Sequence, residues 1–215
     1  MRIPIKPKLQ IALDLTSLEL SLQIARSVAP SVSWIEAGTP LIICQGLKAV
    51  EALRTEFPQK TIVADVKIAD AAMLLTSSSI AAGADIITVI SAASDQTISI
   101  CVNLAHQQGK RVLGDHIAAQ TDLDALKRQA DLGVDYVGIH IPKDSGSTVF
   151  LKQLDEILGR LSVPVVLAGG IEIALLAQLR GSPLAAVVVG NAIINSPNPA
   201  AEACRFASVL ERWEQ

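Results

Sequence analysis

Aromatic residues are scarce in this sequence: two tryptophans, one tyrosine and three phenylalanines make up 3% of 215 residues. Single-stranded nucleic acid is gripped by stacking bases on flat side chains, and this chain has too few to build such a platform. Runs of lysine and arginine are also missing. With a formal charge of −3 and a pI near 5.6, the chain has no electrostatic footprint for nucleic acid or for an anionic membrane. The expected ligand is a small molecule. No apolar stretch reaches the ~20 residues of a bilayer-spanning helix, and the opening MRIPIKPKLQ has no apolar signal region, so the expected location is the cytoplasm. Cys44, Cys101 and Cys204 are far apart, odd in number and without a CxxC pair. That pattern supports neither a disulfide framework nor zinc, and the three are expected to be reduced packing residues. Nor does a GxGxxG turn follow the first strand-like run, where ALDLTS stands, as an open dinucleotide-binding sheet would more often show.

What the sequence does have is repetition. Apolar, strand-like runs begin near Leu9, Ser33, Thr61, Asp85, Arg111, Val134, Val163 and Leu184, with starts 21 to 29 residues apart. Between them lie helical patterns at 18–28, 46–57, 71–82, 95–108, 122–132, 147–161 and 171–179, and a last amphipathic helix is expected at 200–213. A strand, a loop, a three-turn helix and a return loop use about this many residues, which signals βα units and a parallel sheet. Eight units close a barrel, so the expected fold is a single (β/α)8 TIM barrel spanning residues 1–215. Gly83 and Gly133 fall where left-handed caps end a helix, and Thr16 or Ser17, Asp95, and Thr121 or Asp122 are candidate N-caps. Trp34 is expected in the core and Trp213 in surface packing.

The third run, TIVADVKIAD over 61–70, starts as a strand buried on both faces requires and ends in Asp65, Lys67 and Asp70. If Asp65 ends the strand, Lys67 and Asp70 lie in the next loop and first helical turn, where all three heads can converge and hold one another ionised. The alternative is a solvated loop with incidental charges. In a parallel barrel the C-terminal strand ends share the face that carries chemistry. Here those ends supply Asp14, Glu36, Asp65 with Lys67 and Asp70, Ser91, Asp115 with His116, His140, Gly169 with Gly170, and Gly190 with Asn191. The last two runs, VVLAGG and VVVGNA, place glycine where backbone amides approach an anion, and the loops after strands 7 and 8 are the usual phosphate cradle of a barrel. A phosphorylated substrate is inferred. Glu36 and Asp65 on neighbouring strand ends suit a hard cation such as a partly hydrated Mg2+, Lys67 a developing oxyanion, and His140 a proton carrier. His106, in a helix tail, is expected on the surface.

With these residues in place, the chain resembles the orotidine monophosphate decarboxylase suprafamily, marked by DxKxxD on strand 3. The resemblance is strongest to the branch containing 3-hexulose-6-phosphate synthase and 3-keto-L-gulonate-6-phosphate decarboxylase. It is carried over essentially the whole chain by LQIALD, IEAGTPLI, VADVKIADA, AGADIITVISAA, VGIHIPKD, VVLAGGI and VVVGNAI. It implies a Mg2+-dependent carbon–carbon lyase that acts through a 1,2-enediolate of a ketose phosphate. By position, Glu36 and Asp65 correspond to metal ligands, while Asp14 and Lys67 contact substrate and intermediate. His140 corresponds to the proton carrier, Gly170, Gly190 and Asn191 to the phosphate site, and Asp70 to a residue that enters a partner's site in a homodimer. Asp115, Ala168 and Asn191 all depart from the Glu, Thr and Arg of the decarboxylases, and the first two lean toward the synthase; Lys143 retains a cation where the decarboxylases have Arg. The expected reaction is the aldol condensation of formaldehyde with D-ribulose 5-phosphate, and the alternative is decarboxylation of 3-keto-L-gulonate 6-phosphate. A non-catalytic sugar-phosphate-binding barrel is a third reading, which the intact acid and lysine array opposes.

Overall fold

The computed structural model describes residues 6–117, 122–141 and 147–214. Along the chain run β1 (Lys8–Leu13), α1 (Leu18–Val28), β2 (Trp34–Ala37), α2 (Thr39–Gln45), α3 (Lys48–Glu56), β3 (Thr61–Ile68), α4 (Ala72–Ala81), β4 (Ile86–Ile90) and α5 (Asp95–Gln107). Then follow β5 (Arg111–Asp115), α6 (Leu123–Asp131), β6 (Tyr136–His140), α7 (Ser147–Arg160), β7 (Val165–Ala168), α8 (Ile173–Gln178), β8 (Leu184–Val189), α9 (Asn191–Ile194) and α10 (Pro199–Glu211), with a closing 3-10 turn at Arg212–Glu214. Each strand pairs in parallel with the next, and β8 returns to β1, with Lys8 opposite Ala186 and Ile11 opposite Val189. Closure leaves no strand edge unpaired. The architecture is therefore the (β/α)8 barrel that the repeat spacing predicts.

Strand alternation divides the apolar residues between two cores. Ile11, Ile35, Ile62, Ile87, Val112 and Val137 belong to the core between sheet and helices. Trp34, Val63, Ile86, Leu113, Tyr136, Val166 and Ala186 fill the barrel's interior. Trp34 and Tyr136 meet edge to face with centroids 5.3 Å apart, and the Arg111 guanidinium lies 5.8 Å from the Tyr136 ring centre. Most of these residues sit at strand beginnings, so they plug the N-terminal end of the barrel and leave room only at the other end.

Helix signals act locally as the sequence suggests. Ser17 Oγ accepts the Leu20 N–H at 3.3 Å, and Asp122 Oδ1 accepts those of Asp124 and Ala125 at 3.1 and 3.2 Å. Gly83 and Gly133 take φ of +100° and +91°, just past α4 and α6. The aspartates that follow them stitch the strand beginnings together. Asp85 accepts the Ile62 N–H at 2.9 Å and Lys110 at 2.8 Å, and Asp135 accepts the Val112 N–H at 2.8 Å and binds His106 at 2.9 Å. His106 is half-exposed, as expected.

Several local expectations need correction. The helix expected at 46–57 starts at Lys48, because Gly46 at φ +67° breaks it from α2, which Pro40 in its first turn helps to initiate. Ser94, not Asp95, caps α5, accepting the Thr97 N–H at 3.1 Å. Trp213 is 9% exposed and joins the main core, since α10 folds back on the barrel. The three cysteines are free, but only Cys101 is buried; Cys44 and Cys204 are exposed.

Candidate active site

The strand that carries DxK does not stop at Asp65. It continues to Ile68, and its register against β4 shifts: Ala64 faces Ile87 and Ile68 faces Val89, so three residues of β3 lie opposite Thr88 alone. The extra length is absorbed at Lys67, whose φ of +47° is left-handed and strained for a residue with a side chain. This turn folds the Lys67 side chain back beside Asp65. Its ammonium donates to Asp65 Oδ1 and Oδ2, both at 2.9 Å, and to Asp115 Oδ2 at 2.7 Å. Thr39 Oγ1 lies 2.6 Å from Asp65 Oδ2, and Thr88 Oγ1 donates to Asp65 Oδ1 at 3.0 Å.

Asp115, from the end of β5, carries the network onward: its Oδ1 is 2.9 Å from His140 Nε2 at the end of β6. Burial alone would raise the Asp115 carboxyl, but the His140 hydrogen bond and the Lys67 charge outweigh it and hold the group down at about 2. Burial likewise opposes the charge of Lys67, and Asp65 and Asp115 override it, so the ammonium titrates well above its ordinary range. Lys67 therefore stays protonated and Asp115 ionised throughout the neutral range.

Glu36, at the end of β2, is the opposite case. It is buried, its Oε2 accepts from Gln10 Nε2 at 2.5 Å, and no cation pairs with it among the described residues. Burial, then the charges of Asp65 and Asp14, push its carboxyl well above the usual range. Asp14, at the mouth, is raised for the same reasons in the same order: crowding by protein, then Asp65. A Cβ at Gly38 would fall 2.1 Å from Asp14 Oδ1, so that glycine is what lets the carboxylate lie against the start of α2.

These groups line one cavity of about 710 Å3 at the C-terminal end of the barrel, with Asp14, Glu36, Asp65, Lys67, Asp115 and His140 on one part of the wall and Gly169, Gly170, Gly190 and Asn191 on another. Gly169 and Gly170 hold φ of +89° and +57°, and a Cβ at Gly169 would press to 3.0 Å of the Ile141 N, so this tight turn requires glycine. Among the described residues Lys67 is the sole lysine or arginine in the lining. An anion at the glycine turns would thus be met by backbone amides and by Asn191.

Three expected members lie elsewhere. Ser91, just past β4, is buried and does not line the cavity. Asp70 is exposed and outside the cavity wall, because β3 runs three residues past Asp65 before turning, so the three charged heads of the motif do not converge within one chain. His116 is fully buried beside Gln129 of α6 and outside the cavity lining, and burial lowers its pKa. Lys143 falls outside the described residues. Sequence reasoning missed Gln10, Thr39 and Thr88, which buttress Glu36 and Asp65. The available signal was strand parity: Gln10 and Thr88 are polar residues at inward-facing positions of otherwise apolar strands.

The donor set suits a hard cation. Five carboxylates, those of Asp14, Glu36, Asp65, Asp115 and Glu172, share the cavity with one ammonium and one imidazole, and the buried Glu36 has no paired cation among the described residues. Among the described residues no group of three or more His, Cys, Asp or Glu is placed to enclose a metal, so an ion here would lean on one or two carboxylates plus water, the habit of Mg2+.

A closed barrel with an acid-lined, lysine-bearing cup at its C-terminal end is the form of a (β/α)8-barrel enzyme. The chain belongs to the orotidine 5'-phosphate decarboxylase / HUMPS family, whose model matches residues 7–206. It is 34% identical over 207 residues to 3-hexulose-6-phosphate synthase 3 of Staphylococcus saprophyticus, covering 93% of this chain and 98% of the relative. A crystal structure of a 3-hexulose-6-phosphate synthase superposes with a TM-score of 0.87 at 32% identity, over 94% of this chain and 99% of the other. The 3-keto-L-gulonate-6-phosphate decarboxylase of Vibrio cholerae superposes with a TM-score of 0.88 at 28% identity, over 97% and 99%.

Proposed function

We propose that this protein is a Mg2+-dependent carbon–carbon lyase that joins formaldehyde to D-ribulose 5-phosphate, giving 3-hexulose 6-phosphate, and runs the reverse cleavage. The observation that carries the proposal is the Lys67 ammonium held between Asp65 and Asp115, with His140 on the far side of Asp115. Deprotonation at C1 of the ketose generates a 1,2-enediolate, whose negative charge needs a fixed cation close by. Lys67 supplies one that is already oriented, at no cost in reorganisation. Because Asp115 is ionised it can only accept, so His140 donates from Nε2, and Nδ1, with no partner among the described residues, is the nitrogen that takes the C1 proton and later returns it to the product alkoxide. Glu36 and Asp65 would hold Mg2+, which when bound supplies Lewis-acid charge for the ketose oxygens. The glycine turns after β7 and β8 fix the phosphate, and Asp14 binds a sugar hydroxyl.

Decarboxylation of 3-keto-L-gulonate 6-phosphate is the second reading, favoured by a backbone likeness to the Vibrio cholerae decarboxylase as close as that to the synthase. It would use the same enediolate, with carbon dioxide leaving in place of formaldehyde. The test is direct: each sugar phosphate is supplied with Mg2+, with and without EDTA. We expect condensation of formaldehyde with ribulose 5-phosphate to be the faster reaction, abolished by chelation. Activity insensitive to EDTA, or tight ribulose 5-phosphate binding with turnover of neither substrate, would remove the lyase assignment.

The chain is proposed to work as a homodimer in the cytoplasm, where its free cysteines stay reduced. Asp70 points out of its own barrel, while Ile43 on α2 and Met73 and Leu74 on α4, both helices packed against β3, expose 77%, 66% and 67% of their surfaces. Large apolar side chains left in water beside a motif carboxylate suit an interface through which Asp70 completes the partner's site. Mixing inactive Lys67→Ala chains with inactive Asp70→Ala chains should restore about a quarter of normal activity, since half of randomly paired dimers would carry one intact site. No recovery after subunit exchange would refute sharing.

A further inference from the structure

We propose that Thr88 is the positioning residue for the Asp65–Lys67 pair, through a hydroxyl that grips both residues at once. Thr88 is the middle residue of β4, 2% exposed, with its neighbours Ile87 and Val89 packed outward in the main core. Its side chain therefore enters the barrel beside the bulge of β3, where Asp65, Val66 and Lys67 crowd opposite it. There the Oγ1 accepts the backbone N–H of Lys67 at 2.8 Å and lies 3.0 Å from Asp65 Oδ1. The direction of the second contact is forced. A lone pair of the hydroxyl receives the Lys67 N–H, and its single proton is left to point at Asp65 Oδ1.

Two consequences follow from that one group. The amide of a residue at φ +47° would otherwise sit beside the bulge with its donor unused, and a left-handed lysine persists only where its surroundings enforce it. The same hydroxyl fixes the rotation of the Asp65 carboxylate, which sets where the Lys67 ammonium lies between Asp65 and Asp115. Valine matches threonine in shape and suits a strand at least as well, so packing alone gives no reason for a hydroxyl at this buried position.

The kinetic arm of the test rests on the lyase assignment; the structural arm does not. Thr88→Val should lower kcat for the formaldehyde and ribulose 5-phosphate reaction by about tenfold to a hundredfold, the usual scale for a small misplacement of a reacting group, with KM changed by less than about threefold. Thr88→Ser, which keeps the hydroxyl, should retain kcat within about threefold of the native protein. A crystal structure of Thr88→Val should show Lys67 out of the left-handed region or its ammonium detached from one of its two carboxylates. Thr88→Ala is read by the same criteria if the valine variant does not fold. Unchanged Lys67 geometry, or equal kcat losses in the serine and valine variants, would overturn the proposal. If the native protein turned over neither sugar phosphate, the lyase assignment would fall, and the crystal structure would still decide the role of Thr88.

Discussion

Lys67→Ala is expected to lose at least about a hundredfold in turnover and to unfold at a lower temperature than the native chain. The catalytic loss is that of a preorganised charge removed from the point where negative charge develops. The stability loss has a separate cause. The side chains of Asp65 and Asp115 are only 9% and 4% exposed, and each meets the Lys67 ammonium directly. Taking away the cation leaves two buried carboxylates without it, a change that costs about 3 kcal/mol even for a lysine in partial contact with water. The pH dependence gives the check. Asp115 is held at about 2 in the folded protein, below the ~3.9 of an unfolded aspartate, so its stabilisation is complete above that range and disappears as pH falls toward about 2. Calorimetry from pH 7 to pH 3 should show the gap between native and Lys67→Ala narrowing at the acid end. Activity within about tenfold of native, or a melting temperature that does not fall at neutral pH, would assign Lys67 to the surface.

Glu36→Gln should abolish activity to a similar degree while raising the melting temperature. Among the described residues Glu36 is buried with a single amide donor and no paired cation, and the charges of Asp65 and Asp14 add to the burden. Its pKa is raised in the fold, so the folded state prefers it protonated, and its ionised form weakens the fold at neutral pH. Glutamine keeps the volume and a hydrogen bond to Gln10 while discarding the charge. We expect a rise of about 2 to 8 °C in chelated buffer, the size of a gain of about 1 to 2 kcal/mol in a domain of this length. Added Mg2+ should then raise the melting temperature of the native chain and not that of the variant, because only a folded-state ligand stabilises. A Glu36→Gln protein less stable than native in chelator, or one that still responds to Mg2+ like native, would remove Glu36 from the proposed cation site. The pair of variants thus separates two kinds of functional charge, one that the fold depends on and one that burdens it.

The fold was legible because its signals are local and repeated. Strand beginnings every 21 to 29 residues, cap glycines at 83 and 133, and side-chain caps at Ser17 and Asp122 agree with one another, and a barrel is the closed form of that repeat. The rim residues were legible because a buried parallel strand has no structural use for a charge at its end. What escaped depends on relations between strands. The register shift that pushes β3 past Asp65 is a property of the β3–β4 pair, and no residue in TIVADVKIAD announces it. Thr88 looks like an ordinary strand threonine until β3 lies beside it. The short α2 and α9 carry no sequence signal because seven and four residues cannot show a helical period. Asp70 was grouped with Asp65 by closeness in sequence, and the extra strand length carries it out of the cup.

The plug of Trp34, Val63, Ile86, Leu113, Tyr136, Val166 and Ala186 makes the barrel a cul-de-sac. Everything that visits the cup must enter and depart through one doorway, which sets a sequence of arrival and departure. Whatever lies deepest must dock first and exit last, and a second reactant seated above it bars the way out until the new bond is made or the visitor leaves.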